Sequence, residues 1–162
     1  MKDDPTDTLV KNIKEKHTAC ITGPFGSCTY QHLSSKPLLL IAGGTGLSQA
    51  KAIIEQAIEA KQTLPIRLYW ATRLHDESLA SQWFLAWKKK LPQFRAFATN
   101  RDDRLTSLMA ALEKDSAELS SFNTILSGPQ GMVDQLSNQL RELGVPKVRI
   151  YADWFSHELA LA

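Results

Sequence analysis

From Pro37 onward the hydrophobic positions alternate between two periods. Residues 38–42 are a nearly unbroken apolar run, as in a parallel strand covered on both faces. Residues 46–60 then place Leu47, Ala50, Ile54, Ala57 and Ile58 on one helical stripe. Residues 66–71 predict a second strand. Residues 77–91 predict a second helix with Leu79, Trp83, Ala86 and Trp87 inward, ended with the help of Pro92. A third strand at 94–99 and a third helix at 105–113 follow, the helix turning Leu105, Leu108, Met109 and Leu112 to the core. Residues 122–127 form the fourth strand. The fourth helix carries Pro129 in its first turn, buries Met132, Val133, Leu136, Leu140 and Leu143, and stops at Gly144 before Pro146. Residues 148–151 read as a fifth strand, and 156–162 as a short helix or a frayed tail.

This alternation predicts an α/β fold: a five-stranded parallel sheet with helices on both faces. Right-handed crossovers leave few strand orders, and 3-2-1-4-5 puts strands one and four side by side where the winding reverses. The first 35 residues are less regular. Residues 1–12 read as a loose leader, and 17–22 as a short strand ending at Gly23-Pro24-Phe25-Gly26. A second extended piece is expected at 28–30, then a polar linker.

Strands one and four each end in glycines. The first turn is Gly43-Gly44-Thr45-Gly46 and the second is Gly128-Pro129-Gln130-Gly131-Met132. Such turns present backbone N–H groups and a helix N-terminus at the carboxyl end of a strand, where a phosphate binds. Two of them at one switch point suggest a single dinucleotide held between them. The pattern differs from G-x-G-x-x-G, and there is no Gly-Lys-Ser/Thr phosphate loop. Thr45 can bond a phosphate. Met132 suits either the adenine and ribose or the core.

Composition narrows the classes. The chain has 162 residues, 43% hydrophobic and 22% charged, with a net charge of +2. That fits one globular domain and part of a second. Basic residues are scattered apart from Lys88-Lys89-Lys90, read as a solvated helix end, so nucleic acid is not an expected partner. No apolar run spans a membrane, and a cytoplasmic protein is expected. Cys20 and Cys28 are too few for an iron–sulfur cluster. His17, His32, His75 and His157 lack ligand spacing, so no metal is expected, and Asp76 reads as a helix cap. Trp83 and Trp87, four apart, read as core.

Together these segments resemble the NAD(P)-binding half of the ferredoxin–NADP reductase superfamily, and most of all the bacterial NAD(P)H:flavin oxidoreductases. Residues 41–46 are similar to that family's first pyrophosphate loop, and residues 68–73 to its adenosine-ribose segment. Residues 127–132 are similar to the loop beside the nicotinamide, and residues 150–155 to the final strand with its acidic-aromatic exit. The resemblance implies NADH or NADPH at Gly43, Gly44, Thr45, Gly46, Arg73, Gly128, Pro129, Gln130, Gly131 and Met132. It implies a flavin near Asp153, Trp154 and Phe155, and a catalytic position at Ser127, where many relatives have cysteine. Thr45 would then bond the flavin edge as its other option, Arg73 would either meet an adenosine 2′-phosphate or face solvent, and Trp154 and Phe155 would either stack on the flavin or cover apolar surface.

Residues 21–26 are similar to the last strand and turn of the family's flavin barrel. The residues before them lack its flavin-gripping motif. Residues 1–35 are therefore expected to be a leader with a barrel remnant, and 36–162 the NAD(P)-binding domain. FAD or FMN would bind only with a complete flavin domain, in cis or on another chain, and the chain alone would be weakly active or inactive. The rival reading is a non-catalytic dinucleotide-binding or protein-interaction module. It would form a homodimer through an apolar patch around Phe25, Tyr30 and Trp154 left exposed where the barrel would pack.

Overall fold

The computed structural model describes residues 5–18, 20, 28–72, 77–99 and 103–154. Five strands form one parallel sheet: β1 (Leu38–Gly43), β2 (Ile66–Ala71), β3 (Phe94–Thr99), β4 (Asn123–Gly128) and β5 (Ile150–Trp154). Their order is β3-β2-β1-β4-β5, as the alternation predicts. The helices are α1 (Pro5–Lys16), α2 (Tyr30–Leu33), α3 (Leu47–Glu59), α4 (Glu77–Lys90), α5 (Arg104–Lys114), α6 (Ser116–Leu119) and α7 (Gln130–Glu142).

The sheet divides two apolar layers. Leu38, Leu40 and Ala42 of β1 face α2, α3 and α4, while Leu39 and Ile41 face α5, α6 and α7. All five side chains are buried, so β1 carries no polar face and must lie at the centre. Each such leucine stabilises the fold by about 1.5–3 kcal/mol through burial alone. Helix α7 ends as its sequence dictates. Gly144 takes φ +87° and donates to Arg141 O, and Val145 donates to Leu140 O. This closes a Schellman motif, with Val145 and Leu140 buried in the same layer.

Several local expectations are corrected. Residues 5–16 are helical rather than loose, and Leu9, Val10 and Ile13 of α1 are exposed. Tyr30 opens α2 instead of closing an extended piece, and its ring is buried in the first layer rather than contributing to an exposed patch. On α4 the inward positions are Trp87, Trp83 and Phe84, while Ala86 is exposed. Ile53 is buried on α3, whereas Ile58 is only half-buried. The fifth strand starts at Ile150, because residues 147–149 form a 3-10 turn that leaves Val148 81% exposed. Most of the expected strand at 17–22, its Gly23-Pro24-Phe25-Gly26 turn, His75, Asp76 and the 156–162 tail lie outside the described residues.

Candidate functional site

Strands β1 and β4 are direct neighbours, with Ala42 opposite Ser127, so their glycine turns leave the sheet side by side. The two turns are pressed together. A Cβ on Gly128 would lie 3.2 Å from the backbone N and Cα of Gly43. A Cβ on Gly46 would run into the Ser127 carbonyl oxygen, with the carbonyl carbon at 2.7 Å. A Cβ on Gly43 would lie 2.6 Å from the Met132 sulfur and 3.1 Å from Pro129 Cδ. Close approach of one turn to the other thus accounts for Gly43, Gly46 and Gly128. Gly44 and Gly131 differ, because open space surrounds the Cβ position of each. Gly44 also takes φ +53°, a left-handed conformation suited to glycine.

The turns enter their helices differently. After β1, residues 44–46 make a 3-10 turn, and the Leu47 N–H reaches Gly44 O and Thr45 O. The α-helix therefore begins one residue later than the sequence predicts. After β4, Pro129 is the N-cap rather than the first helical residue, and its carbonyl accepts from Met132 and Val133. Both helix starts leave first-turn N–H groups without intrahelical acceptors. The positive ends of the α3 and α7 dipoles lie at the same end of the sheet, a setting that favours an anion.

Met132 is half-buried, its thioether lying over Gly43 and Gly128 and packing into the second core layer. Ser127 is 3% exposed, yet its hydroxyl has no hydrogen-bond partner. It lies against the first turn, 3.0 Å from where a Gly46 Cβ would stand. A buried, unsatisfied hydroxyl is unfavourable, and this one is covered by the first turn. Thr45, Pro129 and Gln130 are exposed. Asp153 and Trp154 are opposite Ser127 and Gly128 in β5, which puts their backbone beside the second turn; their side chains, and all of Arg73 and Phe155, lie outside the described residues.

Sequence reasoning missed Trp70. It sits opposite Ala42 in β2, and its indole N–H donates to Gly44 O at 3.0 Å. The ring is buried edge-on to Phe84. Trp70 thereby holds the left-handed glycine from below. The available signal was an indole, which needs an acceptor when buried, one residue from the end of a strand beside the first turn.

A second polar cluster lies away from the cleft. Arg67, 5% exposed, pairs with Glu118 and lies 3.5 Å from Asp115, while Tyr69 donates to Asp115. Burial, then the Asp115 hydrogen bond and charge, push the Tyr69 phenol well above its ordinary range. This cluster ties α5 and α6 to the sheet. No helix among the described residues is long and apolar enough to cross a membrane.

Comparison with known proteins agrees with this geometry. The oxidoreductase NAD-binding domain family matches residues 40–138. The ferredoxin–NAD(P)+ reductase component of the naphthalene 1,2-dioxygenase system of Pseudomonas putida is 26% identical over 156 residues, spanning 93% of this chain and 48% of that protein. A probable flavin reductase of Photobacterium leiognathi is 30% identical over 144 residues, 85% of this chain and 62% of its own length. Among solved structures, the ferredoxin reductase of carbazole 1,9a-dioxygenase superposes with a TM-score of 0.68 at 25% identity, covering 96% of this chain and 50% of that one. Flavohemoglobin from Malassezia yamatoensis, at 21% identity and a TM-score of 0.70, shares the fold. The chain spans about half the length of the dioxygenase reductase components it matches. With both glycine turns, the sheet order and the matched span in agreement, the chain belongs to the oxidoreductase NAD-binding domain family of the ferredoxin reductase type.

Proposed function

We propose that this chain binds NADH or NADPH across the ends of β1 and β4 and presents the nicotinamide to a flavin carried by a flavin domain, in cis or on another chain. The observation that carries this reading is the pair of interlocked turns, with Gly44 and Gly131 left open and the Ser127 hydroxyl unsatisfied beside them. A bound nicotinamide supplies the hydride and a flavin accepts it, so no acid–base group is required of the protein. The chain's part is placement. N–H groups of residues 44–46 and of the first α7 turn hold the diphosphate, and Ser127 meets the nicotinamide end. Met132 closes the floor between the turns. Orientation of this kind removes on the order of 7–11 kcal/mol of barrier when fully realised. Arg73 is proposed to face the adenosine ribose, and Asp153, Trp154 and Phe155 the flavin side, in keeping with the resemblance of their segments to the reductase family.

Calorimetric titration with NADH and ADP-ribose tests the placement. Ser127→Ala removes a hydroxyl with no protein partner and should leave the melting temperature unchanged or raised. It should weaken NADH severalfold and leave ADP-ribose, which has no nicotinamide, untouched. Equal loss for both ligands, or no loss for either, would remove Ser127 from the nicotinamide end. Rapid reduction of free FMN by this chain alone would remove the need for a flavin domain.

A further inference from the structure

We infer that the open edge of β3, with the groove between it and α4, is a docking site for an acidic, extended segment of a partner protein, which adds there as a sixth strand. Among the described residues β3 pairs only with β2. The bonds Ile66 N–H to Gln93 O and Thr72 N–H to Thr99 O set the phase of that pairing. In a parallel ladder both backbone groups of alternate residues point the same way, so Arg95, Phe97 and Thr99 address β2. Phe94, Ala96 and Ala98 address the open side. Phe94 N–H is taken by Leu91 O, which leaves the N–H and C=O groups of Ala96 and Ala98 on the free edge. Both alanines are exposed, and neither imposes bulk on an incoming strand.

A groove of about 700 Å³ runs beside this edge, lined by Phe84, Leu85, Lys88, Phe94, Arg95 and Ala96. Leu85 is 63% exposed on the groove wall and Lys88 is exposed at its margin, while Arg95, in register with Arg67, is exposed on the other face of the sheet. The charge balance is one-sided. From the start of α4 to the end of β3, residues 77–99 contain four basic residues, Lys88, Lys89, Lys90 and Arg95, and one acidic residue, Glu77. Of 19 basic and 17 acidic residues in all, the remaining positions hold 15 and 16, so this stretch carries the chain's excess of positive charge.

Natural proteins blunt an open edge against copies of itself with proline, a bulge or charged side chains, lysine above all. Here the free positions are two alanines flanked by cations, which repel a second copy of the same surface and attract a carboxylate-bearing strand. Strand addition supplies the backbone hydrogen bonds, the apolar groove takes alternate side chains, and Arg95 on the other face selects for acid at the positions between, with Lys88 at the groove margin. An extended peptide matches the alternating N–H and C=O groups of Ala96 and Ala98 in spacing, so a peptide fits the surface better than a nucleic acid. This site is separate from the dinucleotide cleft and stands or falls independently of it.

The test uses a short blocked peptide alternating glutamate with valine, its lysine–valine counterpart, and an oligothymidylate, each titrated into 15N-labelled protein. The acidic peptide is expected to shift the Ala96 and Ala98 amides and the α4 groove, with intermolecular contacts to the β3 backbone, and to weaken as salt rises. Ala96→Pro removes only an outward N–H, a change that an edge strand accommodates, and should abolish the shifts with the thermal melt retained. Arg95→Glu, which alters no backbone group, should weaken the acidic peptide roughly tenfold. Equal response to both peptides, no response to either, or shifts with oligothymidylate that spare Ala96 and Ala98 while the acidic peptide does nothing, would overturn the proposal.

Discussion

The two strand-to-helix turns reach one cleft by different routes. The first passes through a left-handed glycine, Gly44, then a 3-10 turn, and is held from below by the Trp70 indole. The second has its own glycine at positive φ, Gly128 at +158°, but no 3-10 turn before its helix. Pro129 lies at φ −57° and ψ 139°, ordinary for proline, and its carbonyl starts α7 directly. One turn is fixed by a side chain from a neighbouring strand, the other by its own pyrrolidine ring. The first should therefore be easier to damage from a distance, and the second only from within.

Substitutions separate these routes, the largest effect first. Gly46→Ala drives a Cβ into the Ser127 carbonyl, with backbone on both sides of the clash. Neither side can rotate away, so a loss of about 3 kcal/mol or more is expected in urea unfolding. Gly43→Ala meets the far end of the Met132 side chain instead, which can yield. A loss of about 1–2 kcal/mol is expected, partly recovered in the Gly43→Ala/Met132→Ala double variant relative to the sum of the singles. Strict additivity would show that the two turns do not press on each other.

Trp70→Phe keeps an aromatic ring and deletes the bond to Gly44 O. About 1 kcal/mol of stability should be lost, with a severalfold weaker dinucleotide that Trp70→Tyr does not restore, since its hydroxyl projects to a different point. A variant with the stability loss but unchanged affinity would make the indole a core contact alone.

The smallest effect is a control away from both turns. The Tyr69 phenol, which ordinarily ionises near pH 10.0, is pushed up by burial and by Asp115. A raised pKa in the folded state means that its contribution is complete below pH 10 and drains away as pH rises beyond it. Tyr69→Phe should flatten that alkaline limb of the stability profile without altering dinucleotide affinity. An unchanged alkaline limb would count against the Tyr69–Asp115 contact.

What the sequence revealed follows the strength of its patterns. Strands β2 and β3 were legible to the residue, because each is bounded by turn residues and carries a compact apolar run. Both glycine turns and their convergence were legible because the strand order puts β1 beside β4. The difference between the glycines was not, since it arises from contact across strands: Gly43, Gly46 and Gly128 face another turn, whereas Gly44 and Gly131 face open space. The start of β5 was displaced because Val148 looks like a strand residue, yet Pro146 and the 3-10 turn turn it outward. Helix α6 was missed because four residues carry no period, and its single anchor, Leu119, is visible only as a buried side chain. Trp70 was missed for the reason that hid the glycines: its partner is distant in sequence.

The central claim is that one dinucleotide is shared by both turns, and amide shifts of 15N-labelled protein titrated with NADH read this directly. Residues 44–46 and 130–132 should move together along curves that fit one dissociation constant. Movement of one set alone, or two unequal constants, would mean that the turns do not hold the same molecule.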